Sequence, residues 1–85
     1  MRNLLQDTAL QDRMDELRAA ELWGSVAGKH IASMSGQPKV KNGVMSVSVP
    51  NASLRNELHM NRSLLRDIIN KNLGKNVISE IRFVS

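Results

Sequence analysis

The 85-residue sequence contains no cysteine and no tyrosine, and its aromatic side chains are one tryptophan and one phenylalanine. Without cysteine there is no disulfide framework, no thiolate zinc site and no cysteine nucleophile. With only Trp23 and Phe83, both on apolar faces, the chain has little to stack on unpaired bases, and aliphatic and methionine side chains must fill its core. No stretch approaches the ~20 apolar residues of a membrane helix. Met1 to Leu5, followed by Gln6 and Asp7, lacks the apolar run of about 7–15 residues that a signal peptide needs. A cytoplasmic protein without a membrane partner is expected.

Catalytic constellations are missing as well. The histidines are His30 and His59, and the sequence has neither an H-E-x-x-H motif nor a phosphate-cradling glycine loop. Neither histidine has a neighbour in sequence that would make a proton relay. His30 falls on an apolar stripe beside Ile31 and is expected to be buried or half-buried, and His59 is expected to be exposed. The expectation is a non-enzymatic protein with no cofactor, no metal and no small-molecule substrate.

What is present is an ordinary globular mixture, 41% hydrophobic and 24% charged. At this length it makes one small domain that buries only about 60% of its unfolded surface. The formal charge is +4, unevenly distributed. Residues 1–21 carry three arginines against five carboxylates, a balance of −2, and residues 22–85 carry nine basic against three acidic residues, a balance of +6. The chain therefore divides into an acidic helical leader, 1–15, and a cationic domain, 16–85. A cationic surface of this kind attracts polyanions.

Hydrophobic spacing gives the elements. Leu10, Met14 and Leu17 recur at four and three residues, one face of a helix, with Asp7 or Thr8 as N-cap. Trp23, Val26, Ala27, His30, Ile31 and Met34 form a second helical stripe, on the same helix or a second one. Gly24 and Gly28 within it suggest close packing against a sheet. Ser35-Gly36-Gln37-Pro38 stops the helix. Asn42-Gly43 between two alternating runs is a type I′ hairpin signal, which sets Lys41 opposite Val44, Val40 opposite Met45 and Lys39 opposite Ser46. Val40, Met45, Val47 and Val49 then form the core face, and Lys39, Lys41, Val44, Ser46 and Ser48 the half-polar one.

Asn51 is placed to cap a helix carrying Leu54 and Leu58. The stripe is disturbed between His59 and Ser63, where two helices meet, and Leu65, Ile68, Ile69 and Leu73 continue it to a cap at Gly74. Val77 to Val84 reads as a last strand with Val77, Ile81 and Phe83 on one side and Ile78, Glu80, Arg82 and Val84 on the other. The order is α-β-β-α-α-β, or the same with the first helix split. This is an α+β fold whose three-stranded sheet carries helices on one face.

Two basic clusters are candidates for phosphate contact. On a continuous helix Arg55, His59, Arg62 and Arg66, spaced by 4, 3 and 4, make one row of cations. Lys39, Lys41 and Arg82 fall on the outer sheet face. Lys71 and Lys75 flank Gly74 and read as charges complementing a helix dipole.

The element order resembles a type II KH domain, a fold that clamps nucleic acid with a GXXG loop between its consecutive helices. The corresponding junction here is Met60-Asn61-Arg62-Ser63, without glycine. A closer resemblance lies in Trp23-Gly24-Ser25-Val26-Ala27-Gly28, Ile31-Ala32 and Pro38. These are similar to the W-x-x-[IV]-[VA]-G…[IV]-A…P signature of the DciA family. Asn42-Gly43 before the alternating strand, Leu54 and Leu58, Ile69-Asn70, Leu73-Gly74, Val77 and Ile81 extend it over about residues 16–84. Many members carry an aromatic residue near the position of Leu54, and many carry a C-terminal extension implicated in helicase contact, where this sequence ends at Ser85.

The resemblance implies a KH-like bacterial DNA-binding protein that acts on the replicative helicase as a loader or operator. It also implies structural roles for Trp23, Gly28, Pro38, Gly43 and Gly74. The alternatives are an RNA-binding KH-like module and a protein-interaction domain that does not bind nucleic acid.

Overall fold

A computed structural model describes the backbone of residues 4–85 and the side chains of residues 10–85. Helix α1 spans Leu4–Ala27 and α2 Lys29–Ser33; strands β1, Lys39–Lys41, and β2, Val44–Ser48, form a hairpin; helices α3, Ala52–Met60, and α4, Arg62–Leu73, precede strand β3, Glu80–Val84. The class is the expected α+β, with the first helical segment split in two. The strands lie in the order β1-β2-β3, with β1 antiparallel and β3 parallel to the central β2.

The hairpin adopts the register read from the sequence, Lys39 opposite Ser46, Val40 opposite Met45 and Lys41 opposite Val44. Asn42 and Gly43 have φ values of 52° and 82°, the positive pair a type I′ turn demands. Asn51 caps α3 by accepting the Leu54 N–H at 2.9 Å, α3 and α4 meet at Asn61, and Gly74 caps α4.

Side-chain alternation places Met45, Val47, Val49 and Ile81 on the helix-covered side of the sheet, where they form the core with Ala19, Trp23, Leu58, Ile69 and Ile78. Trp23 is anchored at both ends. Its ring centroid lies 5.7 Å from that of Phe83, and its indole N–H donates to Ser35 Oγ at 3.1 Å. Both aromatic side chains are thus committed to packing.

Several details depart from the sequence reading. Helix α1 already begins at Leu4, so Asp7 and Thr8 lie within it and neither caps it. No atom outside the local helix stands within 4 Å of a Cβ built on Gly24 or Gly28, so these glycines do not serve close packing. Gly28 instead takes φ 97° and ψ 155°, a conformation essentially restricted to glycine, and this breaks the second stripe into two helices. Downstream of the break His30 is exposed rather than half-buried.

Ile78, expected on the outer face of the last strand, is 2% exposed and belongs to the core. The strand starts only at Glu80. Residues 77 and 78 are held instead by Asn70, whose Oδ1 accepts from the Val77 and Ile78 N–H groups at 3.0 and 2.8 Å while its Nδ2 donates to the Ile78 carbonyl at 2.8 Å. The amide side chain acts as a short surrogate strand and carries the chain from α4 into register with β2.

Candidate nucleic-acid interface

Because the helices cover one face of the sheet, the other face is open, and the register decides which side chains share it. Lys39 lies opposite Ser46, and Ser46 opposite Arg82. The three form one row across the sheet. With neighbouring strands about 4.8 Å apart, Lys39 and Arg82 stand roughly 10 Å apart at their Cα atoms. The next row is Lys41, Val44 and Glu80. Lys39, Lys41 and Arg82 are all exposed, over a floor of the half-buried Val44, Ser46 and Ser48. Small side chains at the centre let a polyanion approach between the cations.

The open face carries one carboxylate near these cations. Glu80 Oε2 accepts from Arg82 Nε at 3.0 Å, with the two side chains 48% and 62% exposed. A pair this wet contributes about 0–1 kcal/mol, so Arg82 can exchange the carboxylate for another anion. Among the described residues Lys39 and Lys41 make no ion pair.

The second predicted cluster is arranged differently. The break at Asn61 divides Arg55 and His59 from Arg62 and Arg66, so no continuous helical row exists. Arg55 is half-buried and donates from Nη1 to the carbonyls of Val49 and Pro50, at 2.9 and 3.4 Å, bracing the chain beyond the end of β2. Arg66 pairs with Asp67 at 3.0 Å and reaches the Ser79 carbonyl at 3.5 Å, just ahead of β3. These two arginines therefore sit at opposite ends of the sheet. Arg62 is exposed at the α3–α4 junction and donates to the His59 carbonyl at 2.8 Å.

Of the residues matched to the family signature, Trp23 is buried, Gly28 breaks the first helix and Pro38 leads the chain into β1. Gly43 ends the hairpin turn, and its carbonyl accepts from the Ser79 and Glu80 N–H groups and from Ser79 Oγ, fastening the turn to the start of β3. The hairpin and the third strand are thus one rigid platform.

Sequence reasoning missed two features. Lys75 is more than a dipole charge: its Nζ lies 2.7 Å from Oδ2 of Asp15, a carboxylate only 7% exposed that also accepts from Gln11 Nε2. Lys75 holds the Asp15 carboxyl below the usual carboxylate range. Asp15 sits four residues before Ala19 and eight before Trp23, spacing that could have placed it on the packed face. The second feature is the stripe of Leu10, Met14 and Leu17, which faces solvent at 55–60% exposure.

Among the described residues no group of three His, Cys, Asp or Glu side chains could hold a metal ion, and no helix is long and apolar enough to cross a membrane. Comparison with curated proteins finds no match. The family described as "Dna[CI] antecedent, DciA" matches residues 1–83, nearly the whole chain, and the protein belongs to that family.

Proposed function

We propose that this member of the DciA family is a non-catalytic accessory protein that binds DNA through the phosphate backbone and assists loading of the replicative helicase. The observation that carries the DNA-binding part is the cross-strand row of Lys39, Ser46 and Arg82 beside Lys41 on the uncovered sheet face. A rigid array of cations over a floor without aromatic side chains suits phosphates better than unstacked bases, so binding depends on salt and little on sequence. Family membership supports the helicase-related part.

Lys39, Lys41 and Arg82 lead this interface. Arg62, exposed at the α3–α4 junction, is a separate candidate contact away from this face, and Arg55 and Arg66 add less because their guanidinium groups already serve backbone carbonyls and Asp67.

The test is titration of labelled duplex and single-stranded DNA at several salt concentrations, with matched RNA as competitor. If Lys39, Lys41 and Arg82 each neutralise one duplex phosphate, their joint replacement by alanine lowers the slope of log K against log salt by about 2.7. Replacing Arg55, Arg62 and Arg66 together should lower it less. Unchanged affinity and slope in both triple variants would refute the assignment, and a clear preference for RNA would replace the DNA reading. Co-purification with the replicative helicase tests the helicase-related part.

A further inference from the structure

The sheet ends at β1, and strand parity tells what that edge presents. The Gly43 carbonyl accepts from Glu80 and the Val49 N–H donates to Val84, so the odd-numbered residues of β2 turn their backbone groups toward β3. Val44 and Ser46 turn theirs toward β1, where they meet Lys41 and Lys39. Val40, between the two lysines, therefore points its N–H and C=O away from the sheet, and no turn, loop or further strand among the described residues bonds to either. These two groups open on a cleft of about 650 Å³ whose other wall is α1. Leu17 and Ala20 line it from the helix, and Pro38 and Val40 from the strand. The volume is that of a ligand site, roughly 300–1,000 Å³, and an unpaired strand edge along one wall suits an extended segment that adds as a further strand.

Charge selects the occupant. Residues opposite one another in paired strands point to the same side. A strand added along β1 sets the residue opposite Val40 toward Leu17 and Ala20, and sets its two neighbours beside Lys39 and Lys41 on the open face. Neither lysine has an ion pair among the described residues. The remaining charges of the cleft, Arg13, Glu16 and Glu21, belong to α1 and so lie on the other side of the added strand. The segment that fits is an apolar residue with Asp or Glu on either side of it. A second copy of β1 does not fit, because pairing antiparallel about Val40 sets Lys39 against Lys41 at both flanking positions, and like charges directly opposite repel. No other segment of this chain fits either, since nowhere in the sequence do two carboxylates stand two positions apart.

We propose that the cleft between α1 and β1 takes an extended acidic segment of a partner protein, of the pattern carboxylate, apolar, carboxylate, as an added edge strand. Its backbone pairs with Val40, its apolar side chain enters the cleft, and its carboxylates occupy Lys39 and Lys41. Such a segment and DNA exclude one another; that exclusion alone rests on the DNA-binding reading.

Two short synthetic peptides test this with the full chain, one alternating valine with glutamate and the other valine with lysine. Amide resonances and hydrogen exchange of the ¹⁵N-labelled protein are followed at low salt. The glutamate peptide should bind at least about tenfold more tightly than the lysine peptide, because two cross-strand neighbours change from like to opposite charge. It should also slow exchange of the Val40 amide, which attraction between charges alone does not do. Ala20→Trp fills the cleft and should abolish both effects while leaving DNA affinity unchanged. Lys39→Glu with Lys41→Glu, at two exposed positions, should reverse the peptide preference without disturbing the fold. The glutamate peptide should displace labelled duplex DNA from the native protein. Protection of Val40 in a protein that binds no DNA would refute the DNA reading and leave the peptide site standing. Equal binding of the two peptides, binding of the glutamate peptide without slower exchange at Val40, or a dimer of the free protein that itself protects Val40 would each overturn the proposal.

Discussion

Replacing Asn70 by alanine removes the side chain that organises the approach to β3. Three hydrogen bonds disappear, to the Val77 N–H and to the Ile78 N–H and carbonyl. The Val77 N–H keeps the Lys75 carbonyl as an acceptor at 3.1 Å, but Ile78 is 2% exposed and both of its backbone groups lose their partner. A buried polar group left unpaired costs about 1–3 kcal/mol, which puts the loss at about 4 kcal/mol. A domain this small has roughly 4–13 kcal/mol in total. The expected fall in Tm is about 16 °C or more.

Urea unfolding at pH 7 measures the loss directly, and Asn70→Asp supplies a control with a distinct pH signature. Aspartate keeps an oxygen for the two N–H groups but turns a second oxygen, not a donor, toward the Ile78 carbonyl. Burial and that carbonyl raise its folded pKa above the unfolded value of about 3.9. The aspartate variant should therefore be weak at neutral pH and recover relative to the native protein as acidification protonates the carboxyl, whose O–H then donates to Ile78. An alanine variant within 1 kcal/mol of the native protein, by the scale just given, would refute the reasoning, because the three bonds would then have ready substitutes.

Two further perturbations have definite outcomes. Gly43→Ala places a Cβ 3.1 Å from Ser79 Oγ on a residue whose φ is 82°; a loss of about 1–3 kcal/mol is expected from the backbone strain, read by denaturant unfolding, with faster amide exchange at Ser79 and Glu80. Asp15 has a lowered folded pKa because Lys75 stabilises its charged form, so its contribution is full above the unfolded value of about 3.9 and disappears as pH falls through the lower folded one. The stability difference between the native protein and Asp15→Asn should accordingly be flat near neutrality and shrink in acid. Lys75→Met should be more harmful than Asp15→Asn at pH 7, since it leaves a buried carboxylate without its cation.

The parts that were legible in the sequence share a local cause. Asn42-Gly43 adopts its turn because few other pairs tolerate positive φ at both positions, and the alternation of Met45 and Val47 then settles which hairpin face is buried. Asn51 and Gly74 cap their helices by contacts within a few residues. For the candidate site, the placement of Lys39, Lys41 and Arg82 on one face follows from strand parity. A single row of Arg55, Arg62 and Arg66 requires one continuous helix across Asn61, and helical phase does not survive the break found there. The exposure of His30 has the same origin at Gly28.

Ile78 was misread for a different reason, and the same reason left the exposure of the α1 stripe unread. Periodicity identifies an apolar face but is blind to what covers it. Leu10, Met14 and Leu17 form as regular a stripe as any, yet Asp15 faces inward because Lys75, sixty positions away in the chain, is there to meet it. Ile78 enters the core because Asn70 pairs with its backbone in place of a strand. Turn type, caps, strand faces and net charge were decided by residues within a few positions of one another, and so by the sequence alone. Which helix face is buried, which arginines remain available to an anion and where β3 begins were decided by contacts between distant segments, which exist only once the chain has folded.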